Sequence, residues 1–295
     1  MTVLIGGEKY TYIANAMQDE AVREPYFDLV RRVFRLDFSP WYRSGFSGSR
    51  FIPHTLYGGD TALSSVGVVL NDFKWCGSPK RYAQISTVAT DPAYRGRGLN
   101  KWLMTKALCE WRDKCDCVYL YANDSVVDFY PKFGFVPAHE YRYHLPVTKK
   151  TGAFRKLDLS DRQDVDLLVR KHRESNPFSS LTVDNIEIVM FHCVTFLRDN
   201  IYYIKQHDAV VIAEFEDDSM FCHDIYSNAA CDIENLLGII ASEQTRTVTL
   251  GFTPKSAAGC TITKADEAND HFFVLSGREN ILKDSRVTFP FLSRA

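Results

Sequence analysis

The run Arg95-Gly96-Arg97-Gly98-Leu99-Asn100 holds the residue types and spacing most suited to chemistry. It sits between an apolar stretch ending at Asp91-Pro92 and an amphipathic stretch that starts at once. Glycines at 96 and 98 permit backbone conformations that other residues resist, and they let a ligand approach the main chain. A helix starting after Gly98 would present unpaired N–H groups and the positive end of its dipole, which together attract an anion. Arg95 and Arg97 add charge that a diphosphate can use. The loop lacks the Gly-Lys-Ser/Thr ending of a Walker loop. It also lacks the third glycine of a dinucleotide fingerprint, since position 101 is Lys. An RNA-binding Arg-Gly tag would lie in disordered sequence rather than between two ordered elements.

The elements around this loop alternate. Apolar periodicity predicts a short strand at Tyr10–Ile13 and a helix over Glu24–Leu36. It predicts a hairpin of Phe51–Tyr57 and Ser64–Leu70, then a strand at Tyr82–Thr90. A helix over Gly98–Asp113 follows, then a buried strand at Cys117–Tyr121, a short helix at Ser125–Phe133 and an extended stretch at Phe135–Leu145. Pro146–Gly152 is polar and flanked by breakers, and marks a domain boundary. Beyond it come a strand at Phe154–Leu157, a capping box at Ser160–Gln163, and helices near 165–169 and over Val183–Leu197. A hairpin at Ile201–Ile204 and Ala209–Phe215, a strand at Met220–Ile225 and a helix at Ile233–Ser242 follow, with strands at Arg246–Phe252 and His271–Leu275. The shared order of elements suggests an ancient duplication.

The loop Arg95–Asn100 resembles the Arg/Gln-x-x-Gly-x-Gly/Ala loop of the GNAT superfamily of N-acetyltransferases, with Asn100 in place of the last small residue. The segments Tyr121-Ala122-Asn123-Asp124-Ser125 and Phe129-Tyr130-Pro131-Lys132-Phe133-Gly134-Phe135 resemble the element that closes that family's cofactor site. Leu36–Tyr42 and the chain length look like its two-domain members. The resemblance implies an α/β GNAT fold over 1–147, with a mixed central sheet flanked by helices, and a degenerate GNAT-like α/β domain over 151–295. It implies acetyl-CoA as acyl donor and no metal. Strand residues Val88, Ala89 and Thr90 and the loop Arg95, Gly96, Arg97, Gly98, Leu99, Asn100 and Lys101 would bind that donor. Asn123 would lie near its pantetheine and Tyr130 by its sulfur. The acceptor would be an amine, held near Asp37, Phe38, Trp41 and Tyr42.

In such a transfer the amine attacks the thioester directly. A strand N–H near Val88 stabilises the charge on oxygen, and the phenol of Tyr130 protonates the leaving thiolate. An amine of pKa about 10.4 must first lose a proton, at about 4.6 kcal/mol at neutral pH. Gln84 and Ser86 stand where relatives place a glutamate, and neither is a base. The proton has three exits: a water chain, an acid such as Asp37 or Asp60, or the carboxylate of Ala295 at the end of the apolar segment 286–295. The second half has no such phosphate loop. Its acidic residues Glu214, Glu216, Asp217 and Asp218 read as a solvated edge. The alternative function is a CoA-binding regulatory module without turnover.

Composition agrees with a folded two-domain protein. The 295 residues are 45% hydrophobic and 24% charged, with a net charge of −2. Such a balance drives the chain toward neither nucleic acid nor anionic membrane. No apolar run approaches the roughly 18 residues of a membrane span, and the opening Met1–Gly7 does not read as a signal peptide. Eight scattered cysteines without a Cys-x-x-Cys pair read as reduced residues in a cytoplasmic protein. A homodimer is one possible assembly.

Overall fold

The computed structural model describes residues 1–295 except 229–230, 266–268 and 284. The chain opens with a hairpin, β1 (Thr2–Ile5) and β2 (Glu8–Ile13), followed by α1 (Glu20–Phe34) and the short α2 (Ser39–Arg43). Three antiparallel strands come next: β3 (Phe51–Gly58), β4 (Thr61–Trp75) and β5 (Ser78–Thr90). Then follow α3 (Leu99–Trp111), β6 (Cys117–Ala122), β7 (Phe135–Pro137) and β8 (Tyr141–Pro146). The second half runs β9 (Arg155–Lys156), α4 (Arg162–Glu174), β10 (Leu181–Asp184), α5 (Ile186–Thr195), β11 (Ile201–Ile204), β12 (Ala209–Glu216) and β13 (Ser219–Tyr226). It ends with α6 (Ile233–Ile240), β14 (Thr247–Leu250), β15 (Thr261–Lys264) and β16 (His271–Leu275).

Helix α3 buries Leu99, Leu103, Met104, Ala107 and Leu108, a spacing of three and four that makes one apolar stripe. That stripe packs on the sheet face carrying Val66, Val68 and Ile85. Helix α1 covers the opposite face, where Val69 and Ala89 point, because successive strand residues alternate sides. Strand β6 is buried on both faces between these layers, as its unbroken apolar run requires.

The first sheet has the order β1-β2-β3-β4-β5-β6-β16-β7, with β10 on the far end of β4. The second has the order β15-β8-β14-β13-β12-β11-β9. Each contains a parallel step, β5 beside β6 and β13 beside β14. Beyond each step lies an inserted strand from the other half of the chain: β16 between β6 and β7, and β8 between β14 and β15. The division into 1–147 and 151–295 therefore does not separate the sheets. The two halves share a strand order and exchange one strand each.

Other expectations change locally. The extended stretch Phe135–Leu145 is two strands in different sheets, broken between Pro137 and Tyr141. The helix expected over Val183–Leu197 begins only at Ile186, with Asn185 as its N-cap, because Leu181–Asp184 pairs with β4. Ser125–Phe133 forms two 3₁₀ turns, Asp124–Val126 and Tyr130–Phe133, since Pro131 removes a donor needed for an α-helix. Among the described residues no helix is long and apolar enough to cross a membrane.

Candidate active site

Strands β5 and β6 pair from Tyr82 opposite Cys117 to Ile85 opposite Leu120, then part. Beyond that point β6 pairs with β16 instead. A bulge between Ser65 and Gly67 of β4 coincides with Thr87 at φ 43°, a left-handed backbone that β-branched residues resist. Gly67 is needed there, since a Cβ would stand 2.4 Å from Thr87 Oγ1. The parting strands open a cavity of about 970 Å³, which reaches from Ile85 and Ser86 to the loop and to Tyr130.

The loop has the geometry that anion binding needs. Asp91 caps the 3₁₀ turn Pro92–Tyr94 and pairs with Arg32 at 3.2 Å. Gly96 and Gly98 take φ 76° and 79°. Gly98 caps α3, so the first N–H groups of that helix lack intrahelical partners and face the cavity end. Arg95, Gly96, Gly98, Leu99, Asn100 and Lys101 line the cavity, as do Val88, Thr90 and Asn123. Two expected residues do not. Ala89 is 1% exposed on the opposite sheet face, under α1. Arg97 turns away, its guanidinium 4.7 Å over the Tyr94 ring.

Asn100 is more than a tolerated substitute. Oriented so that donors meet acceptors, its amide nitrogen donates to Ser64 Oγ at 2.7 Å, Ala89 O at 3.0 Å and Ser65 O at 3.2 Å. Its oxygen accepts from Thr90 Oγ1 at 3.0 Å. The first turn of α3 is thereby tied to β4 and β5.

Tyr130 opens its 3₁₀ turn with the ring against Phe129, Phe135 and Phe273. It is 5% exposed and lines the cavity. Burial pushes its phenol up to about 12, so the hydroxyl keeps its proton at any working pH.

A second cavity of about 300 Å³ adjoins the first and shares Ser86, Thr87, Tyr121 and Ala295 with it. Phe38 and Trp41 line it as expected. Asp37 does not: it accepts from Ser39 Oγ at 2.7 Å, Ser39 N at 3.0 Å and Arg31 Nη1 at 3.0 Å, contacts that hold its carboxyl below the usual range. Tyr42 also lies elsewhere, under the Arg23 guanidinium at 3.8 Å. Asp60 lines neither cavity. Sequence reasoning missed the wall supplied by α5, namely Ile188, Phe191 and His192, with Phe196 just beyond. The available signal was an α5 sequence apolar on nearly every face, which demands cover from both halves.

The segment 286–295 docks without forming a strand. Its Tyr141 N–H to Val287 O bond, the Thr288 contacts with Thr253, and Phe291 N–H to Gly251 O fasten it along the second sheet. Phe291 there packs on Phe221 and His223, filling the space where β13 and β14 part. Asn71 Nδ2 then donates to Ser293 O at 3.1 Å, and His192 Nε2 to Arg294 O at 2.7 Å. Burial pushes the His192 imidazole down to about 4, so the ring is neutral. Arg294 pairs with Glu140 at 2.8 Å and Asp270 at 3.2 Å. Buried Gln84 grips Ala295 with both side-chain ends, at 2.9 Å to its O and 3.1 Å from its N. Ala295 thus stands where the two cavities meet.

Residues 14–135 match the model of the acetyltransferase (GNAT) family. Over that stretch the chain is similar to the GNAT acetyltransferases. Solved structures extend the likeness of fold to both halves. A GCN5-related N-acetyltransferase from Kribbella flavida is 18% identical, covers 90% of this chain and 71% of its own, and superposes with a TM-score of 0.56. One from Anabaena variabilis is 15% identical, with 90% and 72% covered and a TM-score of 0.56. Eis1 from Mycobacterium abscessus is 14% identical, with 89% and 73% covered and a TM-score of 0.55. No curated protein sequence matches the chain.

The residues along the larger cavity fit an acyl-CoA. The loop offers backbone N–H groups and two cations, Arg95 and Lys101, to a diphosphate. Ser86 Oγ is buried where the cavities join and has no hydrogen-bond partner among the described residues. An orphaned hydroxyl at that depth costs free energy unless a ligand pairs with it.

Proposed function

We propose that the protein transfers an acetyl group from acetyl-CoA to a primary amine by direct attack within a ternary complex. The observation that carries this reading is the junction: the cleft with the anion-binding loop and the apolar cavity share Ser86, Thr87, Tyr121 and Ala295. A donor in one and an acceptor in the other meet at the thioester.

The diphosphate binds the N-terminus of α3, and the pantetheine lies along the unpaired edge of β5 at Val88 and Thr90. The ammonium gives up one proton through water at the junction of the two cavities. The neutral amine forms the new C–N bond, and a Val88-side N–H holds the negative oxygen. The C–S bond then breaks. Tyr130 gives its proton to the thiolate and is reprotonated from the nitrogen of the intermediate, which is far more acidic than a phenol. The products are the amide, CoA thiol and one proton released.

The raised Tyr130 value matters here. Transfer from a phenol near 12 to a free thiolate of about 8.5 is uphill by about 5 kcal/mol. Tyr130 therefore relays the proton as sulfur leaves, its own passing to the sulfur while the acidic intermediate replaces it, so that no free phenolate forms.

Tyr130→Phe tests this. Acetyl-CoA affinity should stay within about twofold, while turnover falls by about 10² or more. Unchanged turnover would remove Tyr130 from the chemistry. A wild-type protein that binds acetyl-CoA tightly and acetylates no amine would be a binding module instead.

A further inference from the structure

The 300 Å³ cavity has an uneven lining. Its body is Phe38, Trp41, Phe51, Ile188, Phe191 and Phe196. Its charged groups are already engaged. Glu187 accepts from the N–H groups of Gly48, Ser49 and Arg50 at 3.1, 3.2 and 3.0 Å. Arg50 pairs with Asp72 at 2.9 Å, and Arg294 is held by Glu140 and Asp270. His192 donates to the Arg294 carbonyl. The residues this cavity shares with the donor cavity, Ser86, Thr87, Tyr121 and Ala295, mark its polar end toward the reaction. A cationic tail elsewhere in the cavity would lose water and meet aromatic walls whose neighbouring carboxylates are already satisfied.

Size narrows the occupant. A cavity of about 150 Å³ accepts benzene, so twice that volume suits a bicyclic ring or a ring on a short chain. We propose that the acceptor is a primary amine on an apolar, aromatic body of about ten carbons, its nitrogen at the Ala295 end and its ring among Phe38, Trp41 and Phe191. This inference rests on the acyl-transfer reading above.

The test uses the full chain with acetyl-CoA and four acceptors: 2-phenylethylamine, tryptamine, ethanolamine and spermidine, with thiol release as readout. The arylalkylamines should exceed ethanolamine and spermidine by about 10- to 100-fold in kcat/KM. Phe196 is 56% exposed at the rim, so Phe196→Asp should leave the fold intact. It should raise KM for tryptamine about 10-fold without changing acetyl-CoA affinity, and Phe196→Leu should restore most of the loss. Quenching of tryptophan fluorescence by bound tryptamine analogues lacking indole emission, with 2-phenylethylamine as the first, gives a dissociation constant independent of turnover. Equal or better use of spermidine would overturn the inference and leave acyl transfer standing. A preference for octanoyl-CoA over acetyl-CoA that Phe196→Asp abolishes would give the cavity to the acyl chain and also overturn it. Binding of 2-phenylethylamine without turnover would keep the pocket assignment and refute acyl transfer. Neither binding nor turnover would refute both.

Discussion

Replacing Asn100 by alanine tests the structural basis of the anion-binding loop. The amide donates to Ser64 Oγ, Ser65 O and Ala89 O and accepts from Thr90 Oγ1. Ser64 and Ser65 are fully buried and Ala89 is 1% exposed, so water cannot replace those contacts cheaply. Part of the network survives the change, because Ser64 Oγ also lies 2.9 Å from both Ala89 O and Thr90 Oγ1. At about 1 kcal/mol per net bond, more where an acceptor is left bare, the loss is about 2–3 kcal/mol. For a chain of this size that lowers Tm by about 4 °C. Because the tie holds the first turn of α3, acetyl-CoA should bind about 5- to 10-fold more weakly as well. Thermal melts with and without acetyl-CoA read both quantities, a ligand at about 100 times its Kd adding about 2.7 kcal/mol. The double variant Ser64→Ala/Asn100→Ala should cost less than the sum of its parts, since removing both partners spares the unpaired group. A single variant that melts within about 1 °C of wild type, with unchanged acetyl-CoA affinity, would refute the account of Asn100 as the tie between helix and sheet.

One further outcome is expected. Stability should fall on acidification from pH 6.5 to 4. Buried His172 and His192 are pushed down to about 4, so their contribution is complete above 6.5 and lost toward 4. Buried Asp224, pushed up to about 6, opposes them by gaining stability as it is protonated below 6. Two losses and one gain of roughly 3 kcal/mol each leave a net loss of about 3 kcal/mol, to which buried His54 and His223, also pushed down, add in the same direction, measurable as urea midpoints across that range. A protein equally stable at pH 4.5 and 7 would contradict the burial of these groups.

Much of the proposed donor site was legible in the residues. Gly96, Gly98 and the amphipathic run after them dictate a turn and a helix start by local conformational preference, and the cavity lies there. Tyr130 and Asn123 followed from a motif of fixed spacing. The proposed acceptor site was legible only in part. Phe38 and Trp41 face it, but Asp37 and Tyr42 are held by neighbours that no spacing rule predicts, Ser39 and Arg31 for one and Arg23 for the other. The α5 wall comes from nearly 150 residues away, where Trp41 Nε1 donates to Glu187 O.

Most strands and helices, the glycine turn before α3 and the apolar character of the last segment are local properties, and the sequence alone determined them through periodicity, glycine freedom and composition; Leu181–Asp184 became a strand because β4 was there to pair with it. The exchange of β8 and β16 is different. Both strands carry apolar residues that suit either sheet, and nothing within six residues of chain says which pair of neighbours each will join. That choice depends on closing both cores at once. The same holds for Ala295: its apolar segment announced that it would dock, but only the assembled fold, with Gln84, Asn71 and His192 converging from three elements, decided that it would dock where the two cavities meet.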